Sequence, residues 1–207
     1  MNQQRLTSVM KLHLRDKTSW FLTPWLIIAA TFIINFIITL SLHTDETMHT
    51  GSIAAIFVYT FVAGVITIKE TFSFALGLSI RRIDYFLGTA VTAIFVSCSS
   101  AIAITVLSLI EGATNGWGVR LNFFKIESFS DISIVGLIGI YLILLLHMYF
   151  LGFAISSLHR RYGRNAMYAF FATLFLLGSI GTYVFTRFGL WGGIFTWLIQ
   201  HYLELFW

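Results

Sequence analysis

Hydrophobic residues fall along this chain in long runs, without the strict alternation of a half-buried sheet or the one-sided stripe of a soluble helix. Residues 21–42 carry no charge at all, and further apolar runs occupy 52–68, 85–110, 132–158, 166–185 and 190–203. About 20 apolar residues in a helix cover the hydrocarbon thickness of a bilayer. The pattern therefore predicts an all-α integral membrane protein, a single domain over residues 1–207 with about six transmembrane helices. The last run is the shortest and has Gly192-Gly193 near its start, features that fit a tilted or re-entrant segment as well as a full span.

The intervals between the runs are as informative as the runs. Over residues 1–20, Arg5, Lys11, Arg15 and Lys17 are interleaved with Leu6, Val9, Met10 and Leu14. That spacing predicts an amphipathic helix lying in the membrane interface with its basic face to the headgroups. Trp20 and Trp25 flank the entry to the first span as interfacial anchors, and Pro24 falls in its first turn, where a missing N–H costs little. Asn35 is a polar group in mid-span and is assigned to a hydrogen bond with a neighbouring helix. The longest polar connection is 111–131, with Gly112, Gly116 and Gly118 around Trp117, and a basic loop fills 159–165.

Composition then narrows the class. The chain is 57% hydrophobic and 11% charged, against about 25% charged for a soluble domain, and its mean hydropathy is +0.84. The net charge of +4 does not indicate nucleic acid, because the basic residues stand at the ends of apolar runs, where they meet lipid phosphates. With the N-terminus inside, ten of the 13 Lys and Arg residues fall on the inner side; only Arg120, Lys125 and Arg187 fall outside. This bias predicts a cytoplasmic N-terminus in the cell membrane, 69–84 and 159–165 inside, and 111–131 outside. Cys98 is the single cysteine and lies in an apolar run, which leaves no disulfide framework and no zinc spacing. The N-terminal segment lacks the form of a cleavable signal peptide.

Few motifs carry chemistry. An intramembrane protease needs paired acids, metal-binding histidines or a nucleophile–base dyad. Glu70 has no adjacent acid, and His147 has no second ligand at helical spacing. Ser179 stands in Gly178-Ser-Ile-Gly181, where helix packing accounts for the two glycines. A secondary transporter places ionisable groups at mid-membrane. His147 is the one candidate, and no apolar run contains an Asp or Glu. A phosphate-binding Gly-x-x-x-x-Gly-Lys-Ser/Thr loop is also missing. No catalytic residue, metal or cofactor is assigned. A small membrane-anchored immunity or accessory protein is the alternative in a binding class.

Residues 69–84 are the interior stretch where charge, small residues and apolar residues mix over several turns. Phe72, Phe74, Leu76, Leu78 and Ile80 alternate as in a strand, but a lone strand between two spans has no partner for its backbone. As a helix, the stretch puts Phe72, Leu76, Ile80 and Ile83 on one stripe, with Ser73, Gly77, Arg81 and Asp84 near another. It would be about 24 Å long if continuous, with Gly77 dividing it into a membrane-side half and an exposed tip. Arg81 and Arg82 stand where they can snorkel to phosphates.

Glu70, Phe74, Gly77, Ser79, Arg81, Arg82, Asp84, Tyr85, Phe86, Gly88 and Thr89 resemble the cytoplasmic signature of ABC-2-type transporter permeases, especially the small ones of Gram-positive bacteria. The resemblance implies an interfacial N-terminal helix, six spans, and a coupling helix between the second and third that docks into a separate ATP-binding cassette subunit. The contact residues it implies are Glu70, Phe72, Phe74, Leu76, Gly77, Leu78, Arg81, Arg82 and Asp84. It further implies a second permease copy or paralogue in a dimer, and ATP-driven export. The scarcity of polar side chains in the spans favours an amphipathic or hydrophobic substrate. The family's short external helices before the last span have no room here, since only residues 186–189 separate the last two runs.

Overall fold

The amphipathic N-terminal segment folds as α1 (Gln3–Arg15), whose Lys11 and Arg15 are exposed while Val9 and His13, four residues apart, are fully buried. The computed structural model describes residues 3–16, 18–42, 47–126, 129 and 132–201. α1 packs on α5 (Arg82–Ala113), so the helix that the pattern places in the membrane interface also has a protein-facing side. A turn of wider pitch, Thr18–Leu22, then leads into α2 (Thr23–Leu42). Pro24 has no N–H to offer the carbonyl four residues back, which suits a departure from α pitch at this point.

A second wide turn, Ile68–Phe72, joins α3 (Ala54–Thr67) to the short α4 (Ser73–Gly77). α5 follows after four residues. The described chain ends with α6 (Ile134–Arg187) and α7 (Leu190–His201). Among the described residues, four helical stretches are long and apolar enough to cross a membrane: Thr18–Leu42, Ala54–Gly77, Arg82–Ala113 and Ile134–Arg187. The fold is thus helical and of membrane type.

Three boundaries differ from the sequence pattern. The basic loop placed at 159–165 is helical except at Gly163, whose φ of 78° and ψ of −179° break α6 at one residue. Only glycine adopts that conformation readily. The 54 residues of α6 would measure about 80 Å if straight, far beyond one hydrocarbon thickness. α6 also begins at Ile134, two residues inside the apolar run read from 132. Finally, the connection placed at 111–131 begins inside α5, which continues to Ala113.

The chain divides into two units, Met1–Ser157 and Leu158–Trp207. The first unit has two buried clusters. One gathers Ile28, Ile56, Ile104, Tyr141 and Leu145 with Leu121, Phe123 and Phe124 from the loop after α5. Phe32 of α2 meets the rings of Trp117, Phe123 and Phe124 at 5.2, 5.4 and 6.0 Å, which ties that loop to the helices. The other cluster holds Val9, Ile68, Ala75, Tyr85, Tyr149 and Phe153. Two-residue strands β1 (Met48–His49) and β2 (Leu121–Asn122) pair in parallel and join the loop after α2 to the loop after α5. Asn35 donates to the Ser52 hydroxyl just ahead of α3 at 3.0 Å. In the second unit Phe175, Tyr183 and Phe188 are exposed, and Trp191 contacts Phe185 and Phe195 at 5.5 and 5.9 Å.

Candidate functional site

The turn between α4 and α5 is built by backbone bonding first. The Leu78 N–H donates to the carbonyls of Phe74 and Ala75, the Ser79 N–H to Leu76, and the Ile80 N–H back to Ala75, at 3.0–3.2 Å. Ser79 takes a left-handed φ of 58°, which reverses the chain, and Arg81 is extended at the N-cap of α5. Helical structure therefore ends at Gly77, and residues 78–81 are a tight turn instead of the continuation of a helix to Asp84.

Asp84 closes the turn electrostatically. The Arg81 guanidinium donates to it twice, from Nε at 2.9 Å and Nη2 at 3.1 Å. Asp84 is 2% exposed, whereas the Arg81 side chain is open to solvent. A carboxylate in the first turn of α5 also opposes the positive end of the helix dipole. The bond to Asp84 raises the pKa of Arg81 above its ordinary value.

Behind the turn stands Tyr85. Its hydroxyl lies 2.8 Å from the Thr71 hydroxyl and donates to the Thr67 carbonyl at 3.3 Å; Tyr149 of α6 donates to the Thr67 hydroxyl at 3.2 Å. The Phe72 ring meets Tyr85 edge-on at 5.1 Å. Phenols bury a large apolar body only when the hydroxyl finds a partner, and here the partners are Thr67 at the end of α3 and Thr71 in the wide turn after it. Four threonine and tyrosine side chains thereby lock the end of α3 to the start of α5 and to α6.

The docking residues read from the sequence separate into two groups. Phe74 and Gly77 at the end of α4, Leu78 and Arg81 in the turn, and Arg82, Ile83 and Phe86 in the first turns of α5 are exposed. Phe74, Leu78, Ile83 and Phe86 are 55%, 59%, 62% and 46% exposed. Phe72 and Leu76 are half-buried, and Asp84 faces inward. Glu70 is exposed elsewhere, beside a cavity of about 130 Å³ that His13, Asp16, Trp20, Tyr59 and Thr71 also line.

His13 supports the same turn from α1. Its Nε2 lies 2.9 Å from the Thr89 hydroxyl, its ring packs between Trp20 and Tyr85 at 5.3 and 5.9 Å, and Nδ1 has no partner. Burial pushes the imidazole pKa down to about 4. The sequence pattern omitted this residue because a histidine among basic residues reads as part of a solvated face.

A second missed residue is Glu111, which is 0% exposed near the C-terminus of α5. Its carboxylate accepts N–H bonds from Phe123, Phe124 and Lys125 at 2.8–3.1 Å and from the Trp117 indole at 2.8 Å. The apolar run 85–110 contains no acid, but α5 extends beyond it at both ends and so carries Asp84 at one end and Glu111 at the other, both buried. Both acids are fully hydrogen-bonded within the protein, and neither lies in mid-helix. Among the described residues no cluster of three metal-ligating side chains occurs. Set against protein-family models, curated protein sequences and solved structures, the chain gives no match.

Proposed function

We propose that the chain is the membrane-spanning permease subunit of an ABC-2-type transporter, with the turn between α4 and α5 seated on a separate ATP-binding cassette subunit. The observation that carries this reading is the exposed apolar set Phe74, Leu78, Ile83 and Phe86, with Arg81 and Arg82, in and beside a turn whose inner side Tyr85 fixes. An apolar patch rimmed by charge suits a protein groove, and a turn pinned to three helices would transmit a rigid-body push to all of them. Because the sequence lacks a phosphate-binding loop, the ATP chemistry is assigned to the partner.

In this reading the N-terminus is cytoplasmic and the chain crosses the cell membrane about six times. The crossings are α2, α3 with α4, α5, the two parts of α6 on either side of Gly163, and α7 as a short last pass. A second permease copy or a related permease completes the pathway, and the cargo is amphipathic or hydrophobic. The test is affinity purification of the full chain from its native membrane. The wild type should bring an ATP-binding subunit with it. Phe74→Asp and Leu78→Asp should each lose it, since placing a charge in a contact centre costs 2 kcal/mol or more, a factor of about 30 in affinity. Tyr162→Ala, in the other basic segment, should retain it. If both turn variants keep the subunit, the turn is not the contact; if the wild type brings none, an accessory role replaces the transport reading.

A further inference from the structure

At the far end of α5, around Glu111, two cavities of different chemistry adjoin. One, of about 310 Å³, is lined mainly by Leu109, Ile126, Phe129, Ile132, Leu137 and Tyr141. The other, of about 320 Å³, is lined by polar residues that include Thr47, Glu111, Asn115, Arg120 and Asn122. Gly112 and Lys125 belong to both walls, and Gly112 has no side chain to divide them. Each volume is in the range of small-molecule sites, and together they form an apolar compartment opening beside a cationic one.

Lys125 is held at the junction. Its own N–H donates to Glu111 at 2.8 Å, so its backbone is fixed while its side chain is exposed. The Glu111 carboxylate accepts from the Trp117 indole and three backbone N–H groups, and Lys125 and Arg120 outnumber it on the wall of the polar compartment, which leaves that compartment with an excess of one positive charge. The segment carrying these groups is unusual in its backbone: Asn115, Trp117 and Arg120 take φ of 53°, 60° and 59°. Left-handed conformations in non-glycine residues are costly and concentrate where a site is held in a set geometry.

We propose that this paired cavity binds one anionic phospholipid, with an acyl chain in the apolar compartment and the phosphate at Lys125 and Arg120. A phosphate offers several acceptor oxygens, which match the donors of Asn115 and Asn122 as well as the two cations. The position also fits, because the end of a spanning helix is where headgroup and acyl chain meet. The site requires only the membrane-embedded fold and is independent of whether the chain transports anything.

Native mass spectrometry of the full chain in detergent, titrated with phosphatidylglycerol and phosphatidylcholine, tests the proposal. One phosphatidylglycerol should bind per chain, about 30-fold tighter than phosphatidylcholine, from the attraction of two basic residues to an anionic headgroup. Lys125→Glu should abolish that preference and Lys125→Arg should preserve it. Leu109→Trp, which fills the apolar compartment from an exposed position on α5, should weaken both lipids alike. Equal affinity for the two lipids, or a preference unchanged in Lys125→Glu, would overturn the proposal. So would oleate displacing phosphatidylglycerol at equal concentration, because the occupant would then be a carboxylate amphiphile.

Discussion

At the scale of single residues, the groups that organise this fold are polar ones placed where the sequence reads as solvated. Glu111 follows an apolar run and looks like the first residue of a loop, yet it is the acceptor around which the segment from Trp117 to Lys125 is bonded. Nothing in a one-dimensional pattern distinguishes a carboxylate that faces water from one that collects four donors, because the donors are backbone groups 12 to 14 residues away and one indole. His13 is a similar case, and its chemistry gives a pH dependence. Its pKa falls from 6.5 when free to about 4 when buried, so the folded state disfavours the imidazolium. The contribution is fully present above pH 6.5, declines as pH falls toward 4, and is lost below that. Its size is roughly 3 kcal/mol. The groups around the ring are Trp20, Tyr85 and Thr89, with the carboxylates of Asp16 and Glu70 on the shared cavity. Protection of the α1 amides, taken as the exchange rate relative to the intrinsic rate at each pH, should therefore fall between pH 6.5 and 4.5 in the wild type and stay level in His13→Gln. An equal pH slope in the variant would assign the effect to the acids instead.

At the scale of elements, hydropathy located the helices but not how they touch. The apolar runs were legible because a bilayer selects composition over about 20 residues; contacts between helices depend on which small residue faces which. Gly178 and Gly181 stood out in the sequence as a packing pair, but a Cβ on either would meet nothing within 4 Å. Within the first unit a close approach lies between α3 and α6, at Gly64 and Gly152, which have no distinctive neighbours in sequence. A Cβ on Gly64 would overlap the Tyr149 carbonyl, and one on Gly152 would overlap the Phe61 carbonyl. Both obstacles are backbone, so no rotamer change relieves them. This crossing also positions Tyr149 for its bond to Thr67, and so it underlies the turn after α4. Gly64→Leu or Gly152→Leu should cost about 2 kcal/mol or more through overpacking, seen as a lower unfolding temperature in detergent, whereas Gly178→Leu should leave it unchanged. If all three variants melt alike, the two glycines are not the crossing point.

At the scale of the whole molecule, the argument returns to charge. The positive-inside count concerned residues near the ends of apolar runs, and the helix bounds shift several of those ends without moving a basic residue across a helix. α4 ends at Gly77, so Lys69 lies within the helical stretch Ala54–Gly77, about two turns before its end, while Arg81 and Arg82 stand at the start of α5. The other basic group, Arg160, Arg161 and Arg164, surrounds the break at Gly163, where α6 divides into two lengths that could each cross a bilayer. The third set, Arg120 and Lys125, belongs to the loop after α5, at the opposite end of that helix from Arg81 and Arg82. A crossing by α5 alone therefore puts these two sets on opposite faces, whichever face is cytoplasmic. The proposed orientation, in which the Arg81 face is cytoplasmic, rests on the count of basic residues along the sequence. Single cysteines at Ser73, Tyr162 and Thr47, in a Cys98→Ser background, resolve this with a membrane-impermeant thiol reagent applied to whole cells. Ser73→Cys and Tyr162→Cys should label only after permeabilisation, and Thr47→Cys should label directly. Direct labelling at Ser73 would invert the orientation and remove the α4–α5 turn from the reach of any cytoplasmic ATP-binding subunit.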